Sequence, residues 1–190
     1  MTTLAPTLYT RSFPRTSSWL RDLSLIALGA ALVALLAQVR MPLPFTPVPL
    51  TGQTFGVLLV AAALGSKRGA ASLALYIALG AFGLPIFAGG AAGLSYLTGA
   101  TLGYLVGFML AAYVVGWLAE CGLERSVRTS LLPFLVGTLI IYVCGVAWLT
   151  VLLGSVTKAL AAGLLPFLVG DAIKLIAAAL ALPAAWKFVK

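Results

Sequence analysis

At 190 residues, with 62% hydrophobic and only 8% charged side chains and a mean hydropathy of +1.13, the chain is too apolar for a water-soluble domain, which carries about 25% charged residues. Its net charge of +8 does not point to nucleic acid, because the cations punctuate the apolar runs instead of gathering on one face. Unbroken runs such as LIALGAALVALLAQV argue against a β-barrel, whose strands alternate apolar and polar residues. An all-α integral membrane protein in a lipid bilayer is expected.

Residues 1–18 are polar, free of acids and contain Arg11 and Arg15. They lack the apolar run and small-residue cleavage site of a secretory leader. An organellar transit peptide shares that composition; the plainer expectation is a flexible cytoplasmic tail, leaving residues 19–190 as the transmembrane domain. The first span is predicted over 23–39. The stretch MPLPFTPVPLTGQ (41–53) follows, and Pro42, Pro44, Pro47 and Pro49 block a helix and favour an extended, polyproline-like path. A second span runs from near Thr51 to a Gly65-Ser66-Lys67-Arg68-Gly69 turn, and a third from about Ala70 to Leu84.

Between Arg68 and Glu120 lie 51 uncharged residues, too many for one span of about 20 residues and enough for two. The break falls in the glycine-rich stretch 83–103, and the fourth span continues to about Ala119. Glu120, Glu124, Arg125 and Arg128 mark a polar loop. The fifth span covers roughly 131–153 and the sixth about 163–187, giving six transmembrane helices. With the N-terminus placed in the cytoplasm, nine of the twelve cations fall inside, only Arg40 and Lys158 fall outside, and Lys174 lies within the membrane. The positive-inside rule then puts both termini in the cytoplasm.

The sixth span carries the chemistry. From Ala159 to Trp186, Asp171 and Lys174 are the only ionisable side chains, and a charge in the hydrocarbon centre costs about 2.5–3.5 kcal/mol on insertion scales. Three residues apart, they share one helix face. The bland reading is a self-neutralising ion pair; the functional one is a ligand site offering an acidic acceptor and a cationic donor. In the first span, Ala27 with Ala31 and Ala30 with Ala34 form small-xxx-small pairs that admit another helix, from this chain or a partner. Catalytic machinery is missing. There is no His, no phosphate-binding GxxxxGK[ST], no HExxH and no GxSxG, and four acids in all offer no metal or cofactor site. Cys121 and Cys144 have neither metal-binding spacing nor the placement for a disulfide.

Four ordered blocks carry a resemblance: PFTPVPLTGQTFGVLLVAAALG, GAFGLPIFAGG, LTGATLGYLVGF and VGDAIK. Over residues 20–188 the chain resembles BioY, the biotin-specific substrate-binding (S) component of energy-coupling factor (ECF) vitamin transporters. The resemblance implies a six-helix S component, not an enzyme, that spans the bacterial cell membrane and captures biotin from outside. Its pocket is formed by the outer halves of helices 4 to 6 and capped by the helix 1–2 and 3–4 loops. It partners a transmembrane T subunit, docking through the face that here holds Ala27 and Ala31, and two ATPases. One departure stands in the fourth block: Gly99-Ala100-Thr101-Leu102-Gly103-Tyr104 replaces the family's usual Gly-Pro-Thr-Gly-Gly-Tyr.

Biotin offers two ureido N–H donors, a ureido carbonyl, an apolar thioether ring and a carboxylate tail. Asp171 suits the ureido N–H groups. Lys174 neutralises Asp171 while donating to a ligand oxygen, ureido or carboxylate. Tyr104, Gln53, Thr51 and Thr101 are further polar candidates, and Phe87 and Tyr96 are candidates to wall the ring. An S component for another vitamin, or a self-sufficient proton-coupled carrier with Asp171 as its proton site, are the competing readings.

Overall fold

The computed structural model describes residues 3–187. Its helices are α1 (Leu4–Ser12), α2 (Ser18–Gln38), α3 (Gln53–Leu64), α4 (Ser66–Ala81), α5 (Leu94–Leu97), α6 (Leu102–Glu120), α7 (Val127–Leu153), α8 (Val156–Gly163) and α9 (Leu168–Trp186). Two 3₁₀ turns, Leu123–Arg125 and Leu165–Phe167, precede α7 and α9. By length and composition α2, α6, α7 and the tract Val156–Trp186 are each able to cross a membrane, whereas the apolar α3 has 12 residues and α4 has 16. Val33, Val57, Leu58, Leu73, Val115 and Phe134 bury completely where α2, α3, α4, α6 and α7 meet. Leu28, Leu35, Leu110, Trp117, Leu139, Val143, Val151 and Ile173 stay exposed around the outside, as a lipid-facing surface requires and a water-facing one does not.

Several boundaries move outward from the uncharged runs. The first long helix starts at Ser18 rather than 23, because Asp22 accepts from Arg21 at 3.1 Å and from Arg68 at 2.9 Å, neutralising the charges in its opening turns. The tract read as a flexible tail holds α1, with Leu4 and Pro6 buried. The third span begins at Ser66, so the Ser-Lys-Arg-Gly tract is helix and the turn contracts to Gly65 at φ +88°. Glycine alone adopts that backbone cheaply. Glu120, at the end of α6, caps the new N-terminus by accepting from Ser66 N at 2.9 Å and Ser66 Oγ at 3.0 Å, where the helix dipole favours an anion. Likewise α7 starts at Val127, its amide ends met by the Ser126 side chain, which accepts from Thr129 N at 3.3 Å.

The proline-rich connection is a ribbon, not a polyproline path. Arg40–Met41 (β1) and Leu50–Thr51 (β2) pair antiparallel, Arg40 opposite Thr51 and Met41 opposite Leu50. Pro42 and Pro49 flank the ladder and, lacking N–H donors, end it. The glycine-rich break between α4 and α6 is as expected, with α5 as a single turn inside it. Within the departing block 99–104, α6 starts at Leu102 and the Gly99 carbonyl accepts from Trp148 Nε1 at 2.9 Å. The last predicted span, about 163–187, begins later, at Leu168: an additional helix, α8, precedes it, the chain breaks at Leu164, and Pro166 sits in the 3₁₀ turn before α9. Cys121 and Cys144 are both free.

Candidate functional site

The break before α9 sets the site. It places Asp171 in the first turn of α9, where the helix dipole favours an acid, and Lys174 one turn later on the same face. Asp171 is 6% exposed, and Lys174 Nζ lies 2.7 Å from Asp171 Oδ1. The pair does not merely neutralise itself. Lys174 Nζ also donates to the Thr51 carbonyl at 2.6 Å and to Thr54 Oγ1 at 3.1 Å. Thr54 Oγ1 donates to Asp171 Oδ1 at 3.0 Å, and the Tyr142 hydroxyl donates to Asp171 Oδ2 at 2.7 Å. One network thus ties β2, α3, α7 and α9 together.

The donor count decides what the network has left to offer. An ammonium has three protons, and all three acceptors of Lys174 are protein atoms. A carboxylate accepts at about four lone-pair sites. Asp171 receives two bonds on Oδ1 and one on Oδ2, so the remaining acceptor direction is on Oδ2. Bonds to an ionised group are short and roughly twice as strong as neutral ones. The bonds already present fix the carboxylate's orientation before any ligand arrives.

The same carboxylate faces a cavity of about 40 Å³, lined by Thr51, Gln53, Thr54, Tyr96, Thr101, Tyr104, Tyr142 and Lys174 with apolar Val48, Phe108 and Phe167. Ligand pockets run to about 300–1,000 Å³, so this cavity is smaller than one that encloses a small-molecule ligand. Tyr104 donates its hydroxyl to the Gly163 carbonyl at 2.6 Å, pinning the end of α8 and presenting its ring. Gln53 is largely engaged, donating to Tyr76 OH at 2.8 Å and accepting from Thr51 Oγ1 at 3.1 Å.

Of the two aromatic candidates, Tyr96 lines the cavity and Phe87 does not. Phe87 is fully buried one layer behind, stacked on Tyr96 at 4.6 Å and 14° and edge-on to Tyr76 at 5.5 Å. Ala27 and Ala31 lie elsewhere, exposed along a groove between α2 and α4 that also includes Leu75 and Leu79. Sequence reasoning missed Thr54 and Tyr142. Thr54 was findable, one turn beyond Thr51. Nothing in the fifth span marks which face meets α9, so Tyr142 carried no signal.

The sequence profile of the BioY family matches residues 7–190. The chain belongs to the BioY family. Among relatives, the biotin transporter BioY of Thermotoga maritima is 42% identical over 161 residues, covering 85% of this chain and 93% of that one. The biotin transporter BioY of Rhizobium etli is 37% identical over 169 residues, covering 84% and 90%. The crystal structure at 2.1 Å of the S-component for biotin from an ECF-type ABC transporter superposes with a TM-score of 0.82 at 25% identity, covering 90% of this chain and 95% of that one. The chain therefore has the S-component fold and belongs to a family whose named relatives are membrane transporters.

Proposed function

We propose that this BioY-family chain binds biotin from the outer side of a bacterial cell membrane and serves as the S component of an ECF-type transporter. The observation that carries the reading is Asp171, oriented by three protein donors and facing a cavity with one acceptor direction on Oδ2. A ureido N–H is a donor of the kind that direction accepts, while Tyr96, Phe108 and Phe167 supply apolar surface for the thioether ring. Six spans, α2, α3, α4, α6, α7 and α9, with both termini cytoplasmic, agree with the clustering of nine cations on one side. That orientation puts the β1–β2 ribbon and the 82–101 loop outside, over the cavity.

ATP-driven uptake needs a nucleotide-hydrolysing partner, because this chain has no phosphate-binding loop. A transmembrane T subunit and two ATPases would fill that role. The exposed Ala27 and Ala31 give such a subunit a face of small side chains to approach. Purification of the full chain in detergent followed by mass spectrometry of the co-purifying ligand tests the reading. Biotin is the expected species, and another vitamin bound in its place would overturn it.

A further inference from the structure

The donor count leaves a question that the Asp171 site does not answer. A cation would stabilise the carboxylate tail of a bound ligand, and all three protons of Lys174 are committed to Asp171, Thr51 and Thr54. On the proposed outer side only Arg40 and Lys158 carry positive charge. We propose that Arg40 receives the carboxylate of the bound ligand at the mouth of the cavity. This assignment rests on biotin as the ligand.

Three observations single out Arg40. Its place in β1 is opposite the cavity-lining Thr51, whose carbonyl holds Lys174, so one rung of the ribbon separates it from the residue that anchors the buried pair. Its guanidinium lies against Gly89, where a Cβ would collide with Nη1 and where φ is +73°. That loop carries Phe87, which stacks on the cavity-lining Tyr96, and it is tied to α2 by Gln38 Nε2 donating to the Ile86 and Phe87 carbonyls, each at 3.3 Å. The guanidinium thus sits where the ribbon and the 82–93 loop meet over the site.

The third observation is its lack of an acid. Among the described residues Asp22 pairs with Arg21 and Arg68, Glu120 holds Ser66, Glu124 has Arg125 nearest, and Asp171 holds Lys174; no ion pair includes Arg40. Arg40 is exposed, and its planar fork matches a carboxylate with two parallel bonds. Neither cation lines the cavity itself; Lys158, exposed in the first turn of α8, lacks Arg40's pairing with the cavity-lining Thr51.

Titration calorimetry of the full chain in detergent, with biotin and with the uncharged biotinamide, tests this at low and moderate salt. Arg40→Gln is expected to weaken biotin about tenfold at low salt, and less as salt rises, while leaving biotinamide unchanged. Arg40→Lys restores part of the loss, and Lys158→Gln leaves both ligands as they were. An Arg40→Gln protein that loses both ligands equally, or neither, overturns the assignment. Wild-type protein that binds neither compound refutes the biotin reading itself, and the two failures are told apart by that control.

Discussion

Asp171 and Glu124 are both buried carboxylates, 6% and 1% exposed. They stand against opposite ends of α9, Asp171 in its first turn and Glu124 beside Trp186 at its last residue. Asp171 has donors on both oxygens, drawn from three separate segments. Glu124 has no donor in bonding geometry on either oxygen; Arg125 Nε stops at 3.9 Å, and the buried Trp186 Nε1 beside it is also unbonded. Burial therefore holds the Glu124 carboxyl above the usual carboxylate range, outweighing the pull of its own backbone N–H, Arg125 and Trp186. A carboxylate surrounded by fixed donors is organised to accept a ligand. One buried without them is driven toward its neutral form.

Removing the donors should break that contrast, and the largest effect is expected at Lys174. Lys174→Met leaves Asp171 buried without its cation, which costs about 3–5 kcal/mol of stability for a buried pair. A fall in the thermal midpoint of the detergent-solubilised protein checks it, and an unchanged midpoint would mean the network contributes nothing to folding. Asp171→Asn comes next. It keeps the side-chain shape and should weaken biotin by more than about tenfold with the fold retained, because a charged acceptor is lost. Calorimetry alongside circular dichroism separates affinity from folding, and full affinity would remove Asp171 from the site.

Tyr142→Phe removes one of the three bonds to Asp171 and should reduce affinity roughly three- to tenfold, about 1 kcal/mol. The smallest effect belongs to the other carboxylate. With its pKa raised in the folded state, the native protein holds the Glu124 proton more tightly than the unfolded chain does. Stability is therefore lost as pH rises from the ordinary carboxylate value through the raised one. Glu124→Gln mimics the protonated form, so its midpoint should overtake the wild type's progressively as pH increases. Parallel pH profiles of both proteins would contradict the contrast drawn between the two acids.

Much of the site was legible because hydrocarbon penalises charge. Asp171 and Lys174 stood out as the only ionisable residues in their span, and the structure adds partners to the pair rather than moving it. Boundaries were less legible where charges are neutralised at a distance. The starts of α2 and α4 depend on Arg68 reaching Asp22 and on Glu120 reaching Ser66, contacts 46 and 54 residues apart in sequence. Phe87 shows the limit of residue type as a guide. An aromatic in the covering loop is as ready to support a wall as to form one, and packing put Tyr96 in front.

By itself the sequence determined that this chain is a helical membrane protein with one ion pair in its final span, because apolar runs and isolated charges are priced by the bilayer before any helix finds another. The four family blocks are likewise written in the chain. Only the tertiary structure decided that Lys174 is saturated, that Tyr142 and Thr54 donate to Asp171, and that Arg40 stands across the ribbon from Thr51. Hydrogen-bond counts depend on which faces of distant helices meet, and that is settled by packing of the whole bundle, not by any local run of residues.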